Sequence, residues 1–140
     1  MNYVLDTNAV SAIMKGDPQI LERLRRKSKR NVSVPQPVIA EIAYGIERLP
    51  KSKKRDSLRH RFELVKAELG RSDWTDDVSA AFGKIKASLE KKGLRIEDFD
   101  AAIAAHAIAR DAVLVTANME HMLRVTGLTV ENWSQEPEVR

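Results

Sequence analysis

A chain of 140 residues, 43% hydrophobic and 31% charged, has the size and composition of one globular domain, which excludes a disordered or fibrous protein. It contains no cysteine, which excludes disulfides, a thiol nucleophile and a cysteine-based zinc site; its three histidines, His60, His106 and His121, are too scattered for a His-rich cage. The net charge of +4 hides an asymmetry: residues 1–66 carry 15 Lys/Arg against 7 Asp/Glu, and residues 67–140 carry 9 against 13.

In chain order, Tyr3-Val4-Leu5 is a short apolar run that stops at Asp6-Thr7-Asn8, a strand followed by a turn. Val10, Ile13 and Met14 recur at helical spacing, and Gly16 suits the stop of that helix. Asp17-Pro18 supplies a cap and a first-turn proline for a helix carrying Ile20, Leu21 and Leu24, whose basic far end suits the helix dipole. Val32-Ser33-Val34 is a second strand, closed by Pro35, and Pro37 opens a helix with Val38, Ile42 and Ile46 in one stripe. Leu58, Phe62, Val65 and Leu69 mark a helix ending at Gly70. Asp76 and Asp77 begin another, with Val78, Phe82, Ile85 and Leu89 as its buried stripe and Gly93 as its stop. Asp98 caps an Ala-rich helix running to about Arg110. Val113-Leu114-Val115 is a strand ending at Thr116-Ala117-Asn118, and Leu128-Thr129-Val130 is a last one.

Strands separated by helices predict a parallel sheet covered on both faces: an α/β sandwich of four or five strands, formed by residues 1–140 as a single domain. The longest nearly uncharged stretch, Ala101 to Ala109, is too short to cross a bilayer. The N-terminal Met-Asn-Tyr-Val-Leu-Asp lacks the positive region and apolar run of a signal peptide. A cytoplasmic protein with no membrane partner is expected.

In such sheets ligands bind beyond the carboxyl ends of the strands, so residues just after apolar runs are the candidates. Asp6 ends the first strand. Glu41 lies about two turns into the helix after the second, where it interrupts an otherwise apolar run. Asp98 and Asp100 open the helix leading to Val113, and Asn118 follows that strand. Carboxylates packed together repel one another unless a cation is present. Mg²⁺ or Mn²⁺ suits an all-oxygen site, makes a water more acidic and neutralises charge on phosphoryl oxygens.

Each of these residues also has a structural reading. Asp6 serves equally as a turn residue, Asp98 as a helix cap and Asp100 as a common first-turn acid. Asn8 and Thr116 either make turn hydrogen bonds or orient a carboxylate. His106 faces away from Asp100 around its helix and reads as structural. Trp74 and Trp133 read as core or dimer residues.

The basic excess is concentrated in Arg23–Arg30, where six of eight residues are basic, and around Lys51, Lys53, Lys54, Arg55, Arg59 and Arg61. Such a surface recruits polyanions with a salt dependence that reports the phosphates neutralised. Charge runs are also ordinary solvated helix faces, and both readings stand here.

Five segments carry a resemblance. Val4-Leu5-Asp6-Thr7-Asn8, Val38-Ile39-Ala40-Glu41-Ile42 with Gly45, Ile96 through Ala107, Leu114-Val115-Thr116-Ala117-Asn118 and Val125 through Trp133 occur in the order of PIN-domain ribonucleases. Across essentially the whole chain the sequence most resembles VapC-type toxins of bacterial type II toxin–antitoxin systems. The resemblance implies a PIN-like three-layer sandwich, with a four- to five-stranded parallel sheet flanked by helices. It places Asp6, Glu41 and Asp100 on the family's three core acidic positions and Asn118 where a fourth acid or an Asn occurs. Asp98 falls near the site but off the main acidic position, and Asn8 and Thr116 support it. The chain departs from the pattern at Met122, where an aromatic is usual, and at Glu120, where a basic residue is frequent.

The activity so implied is that of a Mg²⁺-dependent endoribonuclease acting on RNA. The implied partners are a second copy of the chain in a homodimer and a small VapB-type antitoxin, joined in a larger hetero-oligomer. Another class of function is a non-catalytic RNA- or protein-binding module whose acids are structural. A phospho-acceptor signalling domain needs a lone Asp after a central strand and a Lys after the last one, and neither is in place.

Overall fold

In the computed structural model, which describes residues 1–135, five short strands follow one another as β1 (Tyr3–Leu5), β2 (Val32–Pro35), β3 (Gly70–Ser72), β4 (Val113–Val115) and β5 (Val130–Glu131). They pair in parallel in the order β3-β2-β1-β4-β5. In register, Tyr3 lies between Val32 and Val113, and Leu5 opposite Val115. Every residue of β1, β2 and β4 is buried, Ser33 included; β1 and β4 are non-alternating apolar runs, as strands covered by helices on both faces require.

The helices are α1 (Thr7–Lys15), α2 (Pro18–Arg25), α3 (Gln36–Glu47), α4 (Lys53–Glu68), α5 (Asp76–Lys91), α6 (Asp98–Ala109) and a single turn, α7 (Met119–Met122). Their ends follow local chemistry. Gly16, with φ +78°, closes α1, and the Asp17 carboxylate accepts from the Gln19 N–H ahead of α2. Past its acidic first turn, helix α6 is buried all round, Ala101 through Ala107 without exception. A helix of that kind belongs inside. Its alanines admit close packing against α5, α3, β1 and β4.

Three elements differ from the expectation. Gly70 does not merely stop α4: Gly70-Arg71-Ser72 is β3, the edge strand, held by main-chain pairing to β2 with only Ser72 buried. No apolar pattern marks it. The last strand sits later than Leu128–Val130, because Leu128 N–H turns back to the Val125 carbonyl and pairing with β4 begins through the Thr129 carbonyl. The α7 turn carries no periodic signal in so short a segment. Trp133 is buried and packs on Tyr3 with ring centroids 5.3 Å apart, whereas Trp74 is 46% exposed and rests on Phe82 and His106. Among the described residues, no helix is long and apolar enough to cross a membrane.

The chain builds β1, β2 and β3 outward on one side and then crosses over to place β4 on the other side of β1. The carboxyl ends of β1 and β4 therefore flank a topological switch point, where open parallel sheets leave a crevice.

Candidate active site

Asp6 follows β1 directly at this switch point, and its backbone N–H donates to the Val115 carbonyl of β4 at 3.1 Å. Its extended backbone makes it the N-cap of α1, and its Oδ1 accepts from the Ala9 N–H at 2.8 Å. The turn reading and the site reading of Asp6 thus coexist in one side chain. Burial pushes its carboxyl up from the ordinary range. The Thr116 hydroxyl and the Ala9 N–H pull it back, and the charges of Asp100 and Glu41 push it up further.

Asp100 stands in the first turn of α6, half-buried. Its carboxyl is also raised, chiefly by desolvation and then by Glu41; His121 acts in the opposite direction, and Glu97 adds to the rise. Glu41, on α3, accepts a hydrogen bond at Oε1 from the Thr7 hydroxyl at 2.6 Å. Three elements remote in sequence thus bring Asp6, Glu41 and Asp100 within reach of one another's charge. Among the described residues, no Lys or Arg forms an ion pair with any of the three.

The donor set is all carboxylate, mutually repelling and without a protein cation to offset it. Those are the conditions that favour a hard divalent ion. Among the described residues, no group of three or more His, Asp or Glu side chains is placed to hold a metal ion by itself. Mg²⁺ usually keeps several of its waters and takes only one or two carboxylates, so the chemistry of this donor set suits it.

The other expected residues divide. Thr116 is buried beside Asp6, and its hydroxyl also accepts from the Asn118 N–H at 2.9 Å. Asn118 precedes α7, and its Nδ2 lies 3.1 Å from Nδ1 of His121. Asn8 is exposed, and no side-chain hydrogen bond to it occurs among the described residues; Thr7 takes the orienting role instead. Asp98 neither caps α6 nor joins the acids. The cap position is Glu97, and Asp98 is exposed and pairs with Lys86 of α5 at 3.1 Å. A helix advances its side chains by about 100° per residue, which carries Asp98 and Asp100 to different sides of α6.

Thr7, Glu97 and His121 stand near the acids without being among the residues expected there. The signal for Thr7 lay in its place beside Asp6. His121 had only its nearness to Asn118 in sequence. His106 is structural as expected: fully buried, with Nδ1 2.8 Å from the Ser72 hydroxyl. The basic segment Arg23–Arg30 spans the end of α2 and the approach to β2, and its Arg23 pairs with Glu131 of β5, opposite Val115 of β4, at 3.7 Å. It leads into the start of β2, and Lys27 Nζ sits 4.8 Å from the ring centroid of Tyr3, the first residue of β1. Much of its charge is already paired, Arg25 and Arg26 to Glu22 and Lys29 to Glu68.

The PIN domain family profile matches residues 3–127. The chain is 35% identical over 137 residues to "Ribonuclease VapC2" of Rickettsia felis, covering 96% of this chain and 100% of that protein. It is 30% identical over 137 residues to the "tRNA(fMet)-specific endonuclease VapC" of Salmonella typhimurium, covering 95% and 98%. Its fold superposes on a chain of the crystal structure of VapBC2 from Rickettsia felis, bound to a promoter DNA fragment, with a TM-score of 0.86 and 32% identity over 95% of this chain and 99% of that one. The chain belongs to the PIN domain family, on its VapC branch.

Proposed function

We propose that this protein is an endoribonuclease toxin that hydrolyses RNA phosphodiester bonds with Mg²⁺, for which Mn²⁺ substitutes. The observation that carries the reading is the convergence of Asp6, Glu41 and Asp100 at the switch point between β1 and β4. The names of the relatives support RNA as the substrate, and the VapBC2 complex supports a VapB-type antitoxin as the partner. A homodimer that joins the antitoxin in a larger cytoplasmic hetero-oligomer completes the proposal.

Asp6, Glu41 and Asp100 would hold the cation, which when bound supplies charge neutralisation for the phosphoryl oxygens and acidifies a water for attack on phosphorus. Each of the chain's own residues has a task around it. The Thr7 hydroxyl keeps the long Glu41 side chain in place. The Thr116 hydroxyl favours the charged form of Asp6, and the Ala9 N–H fixes its orientation. Asn118 supplies a neutral oxygen where a fourth carboxylate would otherwise add repulsion.

Cleavage of a mixed RNA substrate by the purified chain tests the reading. Activity is expected with Mg²⁺ or Mn²⁺ and lost on chelation, and a cognate VapB-type antitoxin should abolish it. Absence of both cleavage and Mn²⁺ binding would replace the reading with the non-catalytic binding module.

A further inference from the structure

His121 sits beside the acids without being one of them. It lies on α7, half-buried, close enough to Asp100 for its charged form to favour that carboxylate. Its Nδ1 is 3.1 Å from the Asn118 amide nitrogen. An amide nitrogen donates, so Nδ1 accepts and the neutral ring carries its proton on Nε2. Asn118 is itself tied by its backbone N–H to the Thr116 hydroxyl, at 2.9 Å. The ring is thus anchored, through two hydrogen bonds, to the segment that leaves β4 next to Asp6.

The remaining donors of the site can be counted. Asp6, Glu41 and Asp100 are acceptors when ionised. The Thr7 hydroxyl is spent on Glu41, the Thr116 hydroxyl on Asp6, and one amide hydrogen of Asn118 on His121. The Nε2–H of His121 has no partner among the described residues. A phosphodiester brought to a group of carboxylates needs donors as well as a cation, because every other oxygen there repels it.

We propose that His121 is a substrate-contacting residue of the acid site, its Nε2–H donating to a non-bridging oxygen of the RNA phosphate that is cleaved. The proposal rests on the ribonuclease reading. Asn118 is then a positioning residue, holding the ring with its proton outward.

Three variants test it against a merely structural role. His121→Ala removes the donor. His121→Asn keeps a polar group near Asn118 but is too short to reach the Nε2 position, and His121→Gln restores an N–H close to that position. With a defined RNA oligonucleotide and Mn²⁺, the Ala and Asn variants should lose on the order of 10- to 100-fold in kcat, the effect of one hydrogen bond to a charged group. The Gln variant should recover most of it, while Mn²⁺ affinity and thermal midpoint stay those of the parent.

A second readout needs no turnover. In the Asp6→Asn protein, long-range ¹H–¹⁵N spectra should show the His121 proton on Nε2, and a short RNA should shift that nitrogen. Parent-like rates in the Ala variant, no difference between Gln and Asn, or an unmoved Nε2 signal with RNA bound would each overturn the proposal. If the parent cleaves no RNA but RNA still shifts Nε2, the ribonuclease reading fails and the His121 contact stands.

Discussion

The hydroxyl of Thr7 donates to Oε1 of Glu41 at 2.6 Å, joining residues 34 positions apart. The contact ties the first turn of α1, whose cap is Asp6, to the face of α3 that carries the second acid. A free glutamate samples many rotamers, and holding one of them costs entropy that this bond offsets.

Thr7→Val keeps the shape and removes the donor. The expected result is Mn²⁺ affinity and RNA cleavage lower by about 10-fold, the usual scale for losing an outer partner of a ligand. Thr7→Ser should stay within about twofold of the parent, since it keeps the hydroxyl. Calorimetric Mn²⁺ titration of both variants checks this, and equal affinities would dismiss the role.

Asp6→Asn and Asp100→Asn should each abolish cleavage without loss of fold. Asparagine caps a helix as well as aspartate does, so α1 survives in the first variant. Both carboxyls titrate above the ordinary range, so each stabilises the native state only below its unfolded pKa. That contribution is lost as pH rises through the folded value. At neutral pH the charged groups therefore cost stability, and the metal-free variants should melt at or above the parent's midpoint. Added Mn²⁺ should raise the midpoint of the parent more than that of Asp100→Asn. Wild-type cleavage by either variant would remove that residue from the site.

Burial, with Arg110 adding to the effect, lowers the pKa of His106 to about 4. The unfolded chain takes up the proton near pH 6.5, so native stability falls as pH drops from about 6.5 toward 4 and then levels off. The loss is on the order of 3 kcal/mol for a fully buried ring. His106→Gln keeps a polar group for the Ser72 hydroxyl and cannot be charged. Urea unfolding at pH 7 and pH 5 should show a smaller difference for the variant than for the parent.

The two basic segments should behave differently. Arg25 and Arg26 are paired with Glu22 and Lys27 lies over the Tyr3 ring, and their replacement by Ser should leave RNA affinity and its salt slope unchanged. Lys53 and Lys54 are exposed and make no ion pair among the described residues, whereas the adjacent Arg55 is paired with Glu47 at 2.9 Å. Lys53→Ser with Lys54→Ser should flatten the dependence of log affinity on log salt by roughly 0.7 for each phosphate that is no longer neutralised. Filter binding across a salt series distinguishes the two segments.

The order of residues alone settles what short-range chemistry settles. Val4 and Leu114 lie in non-alternating apolar triplets, so both faces of their strands had to be covered. Gly16 and Asp17-Pro18 mark where one helix ends and the next begins. Asp6 and Thr116 follow strands, and the carboxyl ends of parallel strands share one edge. Other features needed the assembled sheet. Gly70-Arg71-Ser72 became a strand only because β2 offered a main-chain edge to pair with. The crossover after β3 decided that Asp6, Glu41 and Asp100 meet, and side-chain direction on α6 sent Asp98 to Lys86 instead. The same assembly placed Thr7 against Glu41, His121 beside Asp100, and Arg23 against Glu131. Periodicity and capping are relations between residues a few positions apart, whereas a site is a relation between elements whose separation is set only when the strands take their order in the sheet.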